Sequence, residues 1–409
     1  MRGVTHTGRG IFRYILEIKA QKRWDMKVAF DAQLLFEKEK TGIGWNAKCL
    51  IDRIIEFPDI ECTLNYFCMR DRKRADAVLK EYREKGCHIR QSWFLPARIY
   101  NHLERFLPFP YRFIFGNTAE ITQFFNYTIP FGVAGKRVAM VHDMAFLACP
   151  NTVAKRTRNW LRWNIRKYCK RADVVVTVSE FSRQEIHHYL EIPLEKIEVV
   201  YNGVDLFRYH PNYTKKQIET VTRKYHISGE YLLYLGTLEP RKNLETLIEA
   251  YRLLRERMPD TPKLVLAGKK GWMYEGIFEK VRDYGLEKEV LFPGYLPEEE
   301  VPVLLCGAKV FVFPSLYEGF GIPPLEAMAC GTPVVVSDSS SLPEVVGDAG
   351  VLVSPADING LSKQLERLLL DDGLRERCVR AGLSRAETFT WERAADSLMR
   401  IYRKLDMEA

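Results

Sequence analysis

Val310-Phe-Val-Phe-Pro-Ser-Leu-Tyr-Glu318-Gly-Phe-Gly-Ile-Pro-Pro-Leu-Glu326, followed by Gly331-Thr-Pro-Val-Val-Val-Ser337, is the stretch whose reading decides the fold. An apolar run enters a glycine turn, a short helix follows, and a second apolar run leaves. Gly319 and Gly321 permit a tight bend and close approach to a ligand, and the proline pair Pro323-Pro324 pre-sets helical φ in the first turn. The amides from Gly319 to Ile322, Phe320 included, are expected to point outward without partners, which suits a phosphate at a helix N-terminus. Two flanking carboxylates, Glu318 and Glu326, would repel a bare anion unless they face neutral hydroxyl groups attached to it. A phosphorylated sugar meets both demands.

A second segment carries the same logic. The run Tyr231 to Leu235 ends at Gly236, and Arg241-Lys242-Asn243 precedes a periodic apolar helix from Leu244 to Leu254. Two cations at a helix N-terminus oppose the helix dipole unless an anion lies between them. Arginine offers a planar fork to phosphate oxygens and lysine a mobile point charge.

With these residues in view, the chain resembles a retaining nucleotide-sugar glycosyltransferase of the GT-B fold, the large family 4 type, from Met26 onward. The marks are the acid pair spaced E-x7-E (Glu318, Glu326), Arg241-Lys242 after Gly236, Val141-His142-Asp143 at a strand end, Val178-Ser179-Glu180-Phe181-Ser182, and Asn202-Gly203-Val204-Asp205. The resemblance implies two Rossmann-like doubly wound α/β domains facing a central cleft. It assigns 26–208 to an acceptor-side domain, 209–389 to a donor-binding domain, and 390–409 to a helix crossing back to the first. It also implies that Glu326 takes ribose hydroxyls, Glu318 hexose hydroxyls, and His142 a place beside the sugar. Arg241 and Lys242 would stabilise charge on the leaving phosphate without a metal, since no D-x-D carboxylate pair is present. The implied chemistry is front-face substitution in which the departing phosphate takes the acceptor proton. A glycosidase-type nucleophile would instead need two carboxylates about 5 Å apart across the bond.

The expected co-substrate is a nucleotide sugar, with no cofactor. Within the family the resemblance is nearest to mannosyltransferase-like bacterial enzymes, so GDP-mannose is the first expectation and a UDP-hexose the second. Main-chain groups near Gly268-Lys269-Lys270 and at Gly294, Tyr295 and Leu296 would read the base and hexose. The turn Gly42-Ile43-Gly44 opens a helix able to bring amides to the phosphates or the acceptor, though its spacing is neither a dinucleotide fingerprint nor a P-loop. The acceptor is expected to be a glycan or lipid-linked saccharide, read in part by the aromatic stretch Ser92 to Phe115. An epimerase or phosphorylase on the same architecture would differ by its product.

Composition bounds these readings. At 409 residues and 46% hydrophobic, the chain can bury two domain cores. No apolar stretch reaches the ~18 residues that span a bilayer. Nine cysteines without a C-x2-C pair fit reduced thiols and a cytoplasmic setting. The +8 balance is uneven: residues 1–210 hold 35 Lys and Arg against 23 Asp and Glu, and the remainder is slightly acidic. That confinement, within ordered α/β periodicity, argues against a nucleic-acid partner. The segment 155–171 concentrates eight cations and two tryptophans with no acid. It reads either as a helix lying on an anionic membrane surface, at the inner face of the cell membrane, or as a docked helix with a solvated basic face. Residues 1–25 hold six cations and no secretory core; Met26 as the initiator and a basic interfacial arm are both open readings.

Overall fold

The computed structural model describes residues 26–37, 40–67, 72–92, 96, 99–100, 109–117 and 119–408. The basic leader and most of the aromatic stretch after Ser92 lie outside the described residues. Two parallel sheets organise the rest. The first holds β1 (Met26–Asp31), β2 (Ile60–Phe67), β3 (His88–Ser92), β4 (Ile121–Phe124), β5 (Lys136–Met140), β6 (Val174–Thr177) and β7 (Ile197–Val199), in the order β3-β2-β1-β4-β5-β6-β7. The second holds β8 (Tyr231–Leu235), β9 (Lys263–Ala267), β10 (Val290–Gly294), β11 (Val310–Phe313), β12 (Val334–Ser337) and β13 (Val351–Val353), in the order β10-β9-β8-β11-β12-β13. Both are doubly wound α/β arrangements, as the sequence leads one to expect.

In the second sheet the central strands β8 and β11 are built of aliphatic and aromatic residues because helices cover both of their faces. In β11 and β12 every residue is buried. The apolar runs that the sequence marks here, Tyr231 to Leu235, Val310 to Phe313 and the run ending at Ser337, are the strands β8, β11 and β12. In the first sheet β3 and β4 escape a reading of apolar runs. The strand β3 (His-Ile-Arg-Gln-Ser) lies at the sheet edge and is only partly buried. In β4 the buried Gln123 is satisfied by donating to the Phe124 carbonyl at 3.0 Å and accepting from the Tyr402 hydroxyl at 3.0 Å.

The chain divides into two compact units, one of residues 1–140, 171–173 and 398–409, the other of 141–170 and 174–397. The last helix, Trp391–Met407, ends in the first of these: Arg403 is bound to Asp59 at 2.8 Å, and Tyr402 is fully buried. In the second unit Val204 donates its N–H to the Phe389 carbonyl at 2.9 Å, which gives the Asn202 to Asp205 motif a structural anchor. The eight described cysteines are free thiols. No helix among the described residues is long and apolar enough to cross a membrane.

Candidate active site

The decisive stretch folds as its residues dictate. From β11 the chain turns through Glu318 to Gly321 into the Ile322–Ala329 helix, with the prolines in its first turn. Each glycine answers a different constraint. A side chain at Gly319 would meet the His142 carbonyl oxygen at 2.3 Å, and Gly321 adopts φ 114°, which favours glycine. His142 therefore lies against the turn, two residues past the end of β5 and buried. The next residues join it, since the Met144 N–H donates to the Tyr317 hydroxyl at 3.1 Å.

Arg241 and Lys242 occupy the turn Pro240–Lys242 that follows β8. Asn243 closes the turn in the left-handed region, φ 57°, and its amide donates to the carbonyls of Pro314 and Pro355. The Leu316 N–H donates to the Arg241 carbonyl at 2.9 Å, so the basic turn and the acidic segment are tied backbone to backbone. Their side chains meet. Arg241 binds Glu318 at 2.9 Å and Glu239 at 2.7 Å, and Lys242 binds Glu318 at 2.5 Å while resting 4.9 Å from the centre of the Phe313 ring. The anion that the basic pair demands is thus supplied by Glu318 itself. Two cations and two carboxylates balance.

The electrostatics follow from this packing. Burial disfavours ionisation of Glu318, yet the Arg241 and Lys242 charges outweigh it and hold its carboxyl down at about 2. Burial acts against the Arg241 charge too, but Glu318, Glu239 and Asp143 more than compensate and raise it. Burial and the adjacent Arg241 lower Lys242, against the pull of Glu318 and Glu239. Burial raises Glu239, opposed by the two cations. Sequence reasoning gave no role to Glu239 or to Asp143. The signal for Glu239 was available: an acid two residues before a basic pair, inside a strand-to-helix turn.

Glu326, on the helix, stands in different surroundings. Tyr209 hydrogen-bonds its carboxylate and Arg208 lies close by, itself held by Glu298 at 3.2 Å. Burial pushes the Glu326 carboxyl up to about 7, against both neighbours. Its folded value exceeds the ordinary 4.5, so the folded state binds the extra proton and loses stability as pH rises from about 4.5 through 7. Replacing Glu326 by Gln is therefore expected to raise stability at pH 8 by roughly 3 kcal/mol and to change little at pH 4.5. Denaturant titrations at the two pH values check this, and an equal effect at both would contradict it.

The remaining expected residues fall as follows. The Gly236 N–H donates to the Ala267 carbonyl at 3.0 Å, at the carboxyl ends of β8 and β9. The Gly294 carbonyl accepts from Gly268 at 2.8 Å, Tyr295 is half exposed, and the Leu296 side chain sits in the core, leaving only its main chain for a ligand. Gly42, Ile43 and Gly44 open the Gly42–Ile54 helix of the first unit. Nearby in that unit Asp31, at the carboxyl end of β1, is pushed by burial up to about 6, a titratable group that the sequence did not single out.

An arrangement of this kind can grip a diphosphate while presenting carboxylates to hydroxyl groups. Residues 218–385 match the Glycosyl transferases group 1 family, and residues 66–208 match Glycosyltransferase Family 4. The chain is 36% identical over 281 residues to the O-antigen chain mannosyltransferase B of Escherichia coli, covering 68% of this chain and 73% of that one. It is 33% identical over 228 residues to the serotype-specific mannosyltransferase WbdA of Escherichia coli, of which it spans only 28%. Among solved structures, Anabaena HepE in complex with UDP and glucose superposes with a TM-score of 0.72 at 18% identity, covering 92% of this chain and 99% of that one. That likeness is one of fold. The two family matches, with a relative 36% identical and covered over 73% of its length, establish that this chain is a glycosyltransferase and belongs to glycosyltransferase family 4 of GT-B enzymes.

Proposed function

We propose that the enzyme transfers a mannosyl group, with retention of anomeric configuration and without a metal ion, from GDP-mannose to a glycan or lipid-linked saccharide. The observation that carries this is the buried cluster of Arg241, Lys242, Glu318 and Glu239, considered with the mannosyltransferase relatives. When the bond from anomeric carbon to phosphate oxygen breaks, negative charge builds on the departing diphosphate. Arg241 and Lys242 are fixed cations able to stabilise it, exchanging part of their bonding to Glu318 for phosphate oxygens. Glu318, so released, is available to the hydroxyls of the transferred hexose, and Glu326 to those of the ribose. The acceptor oxygen attacks the anomeric carbon on the face that the phosphate leaves, and the departing phosphate takes the acceptor proton. His142 borders the reacting sugar.

A UDP-hexose is the second donor reading, favoured by the UDP and glucose bound to the HepE neighbour. A thermal-shift panel of GDP, UDP and ADP with their common sugars separates the two. GDP-mannose is expected to give the largest rise in melting temperature; a rise confined to UDP compounds would transfer the assignment, and no rise with any would reject it.

The place of work we propose is the cytoplasmic face of an anionic membrane, reached through the Lys155–Arg171 helix. Leu161, Ile165, Tyr168 and Cys169 are buried on one side of it. Trp160 and Trp163 are exposed on the other, Trp163 by 83%, amid Arg156, Arg162, Lys167 and Lys170. Exposed tryptophans among cations suit a headgroup layer. Co-sedimentation with phosphatidylserine vesicles is expected to be lost in the double variant Arg162→Glu, Lys167→Glu; undiminished binding would place the contact elsewhere.

A further inference from the structure

The turn that carries Glu318 is held by four serines, of which Ser340 and Ser341 belong to no motif above. The Ser341 hydroxyl shares its one proton between the Glu318 carbonyl at 3.0 Å and the Phe320 carbonyl at 2.8 Å. Ser340 Oγ accepts the Glu318 N–H at 2.8 Å. From a different element, Ser179 and Ser182 donate to the Gly319 carbonyl at 2.6 and 3.2 Å. Ser179, Ser182 and Ser341 are completely buried. Three consecutive carbonyls are thereby fixed by hydroxyl groups.

A trans peptide plane sets the N–H opposite its own carbonyl, and none of the described peptides is cis. Because Ser341 draws the Glu318 and Phe320 carbonyls toward itself, the Gly319 and Gly321 N–H groups both point away from it. The Phe320 N–H points away from Ser179 and Ser182. None of these three N–H groups has a hydrogen-bond partner among the described residues, although Gly319, Phe320 and Gly321 are buried. Backbone donors left unpaired in a buried turn are costly unless something fills them.

We propose that Ser341 is a positioning residue: by gripping the carbonyls of Glu318 and Phe320 it aims the Gly319 and Gly321 N–H groups in common at the sugar phosphate. The inference rests on the nucleotide-sugar reading above. Ser341 touches no reacting atom in this account. Its effect travels through two peptide planes, and it matters most when charge develops on the ligand, so its loss lowers kcat more than it raises KM.

The test compares the full-length wild type with Ser341→Ala and with Ser341→Cys, which nearly conserves volume while weakening the donor. Ser339→Ala serves as control, since the Ser339 hydroxyl donates at 3.2 Å to the Ser315 and Leu316 carbonyls, outside the turn. GDP-mannose and UDP-glucose are the donors used, and calorimetric stoichiometry with GDP or UDP counts the binding-competent sites, so that partial unfolding does not pass for slow chemistry. Per competent site, both Ser341 variants are expected to lose about 10- to 100-fold in kcat with KM within about threefold of wild type, and Ser339→Ala to keep kcat within about threefold. Wild-type kcat per site in both Ser341 variants, or an equal loss in Ser339→Ala, overturns the positioning role alone. A wild type that turns over neither donor overturns the donor reading and this inference with it.

Discussion

Replacing Arg241 and Lys242 together by alanine is expected to lower kcat/KM toward the nucleotide sugar by about 10³-fold or more. Removal of a single preorganised donor to developing charge costs on the order of 10²- to 10³-fold, and here both cations of the site are lost. The double variant also leaves Glu318 and Glu239 buried without counter-charges, so a loss of activity alone would be ambiguous. Adding Glu318→Gln and Glu239→Gln to the same chain removes that penalty. The quadruple variant is expected to recover stability in a urea titration while remaining as inactive as the double variant. Recovery of turnover along with stability would show that the cations serve the fold and not the diphosphate.

Glu318→Ala is expected to be the most destabilising single change at the site, costing roughly 3–5 kcal/mol at pH 7, because it strands Arg241 and Lys242 in a buried turn. The wild-type contribution has a definite pH window. The folded carboxyl titrates near 2 against an ordinary 4.5, so the stabilisation is complete above about 4.5 and is lost as pH falls through 2. The difference between wild type and Glu318→Gln, measured by urea unfolding, should therefore narrow between pH 5 and pH 2. A difference that stays constant over this range would mean that the Glu318 charge is not coupled to the basic pair.

The sequence made the second sheet readable because its strands are short apolar runs punctuated by glycine and proline, such as Val310 to Phe313 and Val334 to Ser337. Burial on both faces leaves few polar residues to blur them. The first sheet was less legible where its strands carry polar groups for reasons outside their own segment. Gln123 is tolerated in β4 because Tyr402, 279 residues later, satisfies it. Arg90 in the edge strand β3 donates to the Phe115 carbonyl. Neither partnership can be read from local periodicity.

At the site, the residues that the motifs named were brought together in part. Arg241, Lys242, Glu318 and the His142 backbone converge on one turn, whereas Glu326 keeps company with Tyr209, Arg208 and Glu298. What the motifs did not convey is pairing. A carboxylate and a basic dipeptide 76 residues apart look like separate ligand-binding groups, and only the folded contacts of Glu318 with Arg241 and Lys242 show that they neutralise each other. Ser340 and Ser341 beside Glu318 were invisible for a related reason. Serine is common in loops, and its value at Ser341 arises from which carbonyls lie within reach.

The central claim is that a nucleotide diphosphate is held by Arg241 and Lys242. A crystal structure of the protein soaked with GDP-mannose, or with UDP-glucose if that is the donor the panel selects, tests it most directly. Phosphate oxygens within hydrogen-bonding distance of the Arg241 guanidinium and Lys242 Nζ, with Glu318 turned from the cations toward a sugar hydroxyl, are the predicted result. A donor bound with both cations still closed on Glu318 and its phosphates elsewhere would contradict the account.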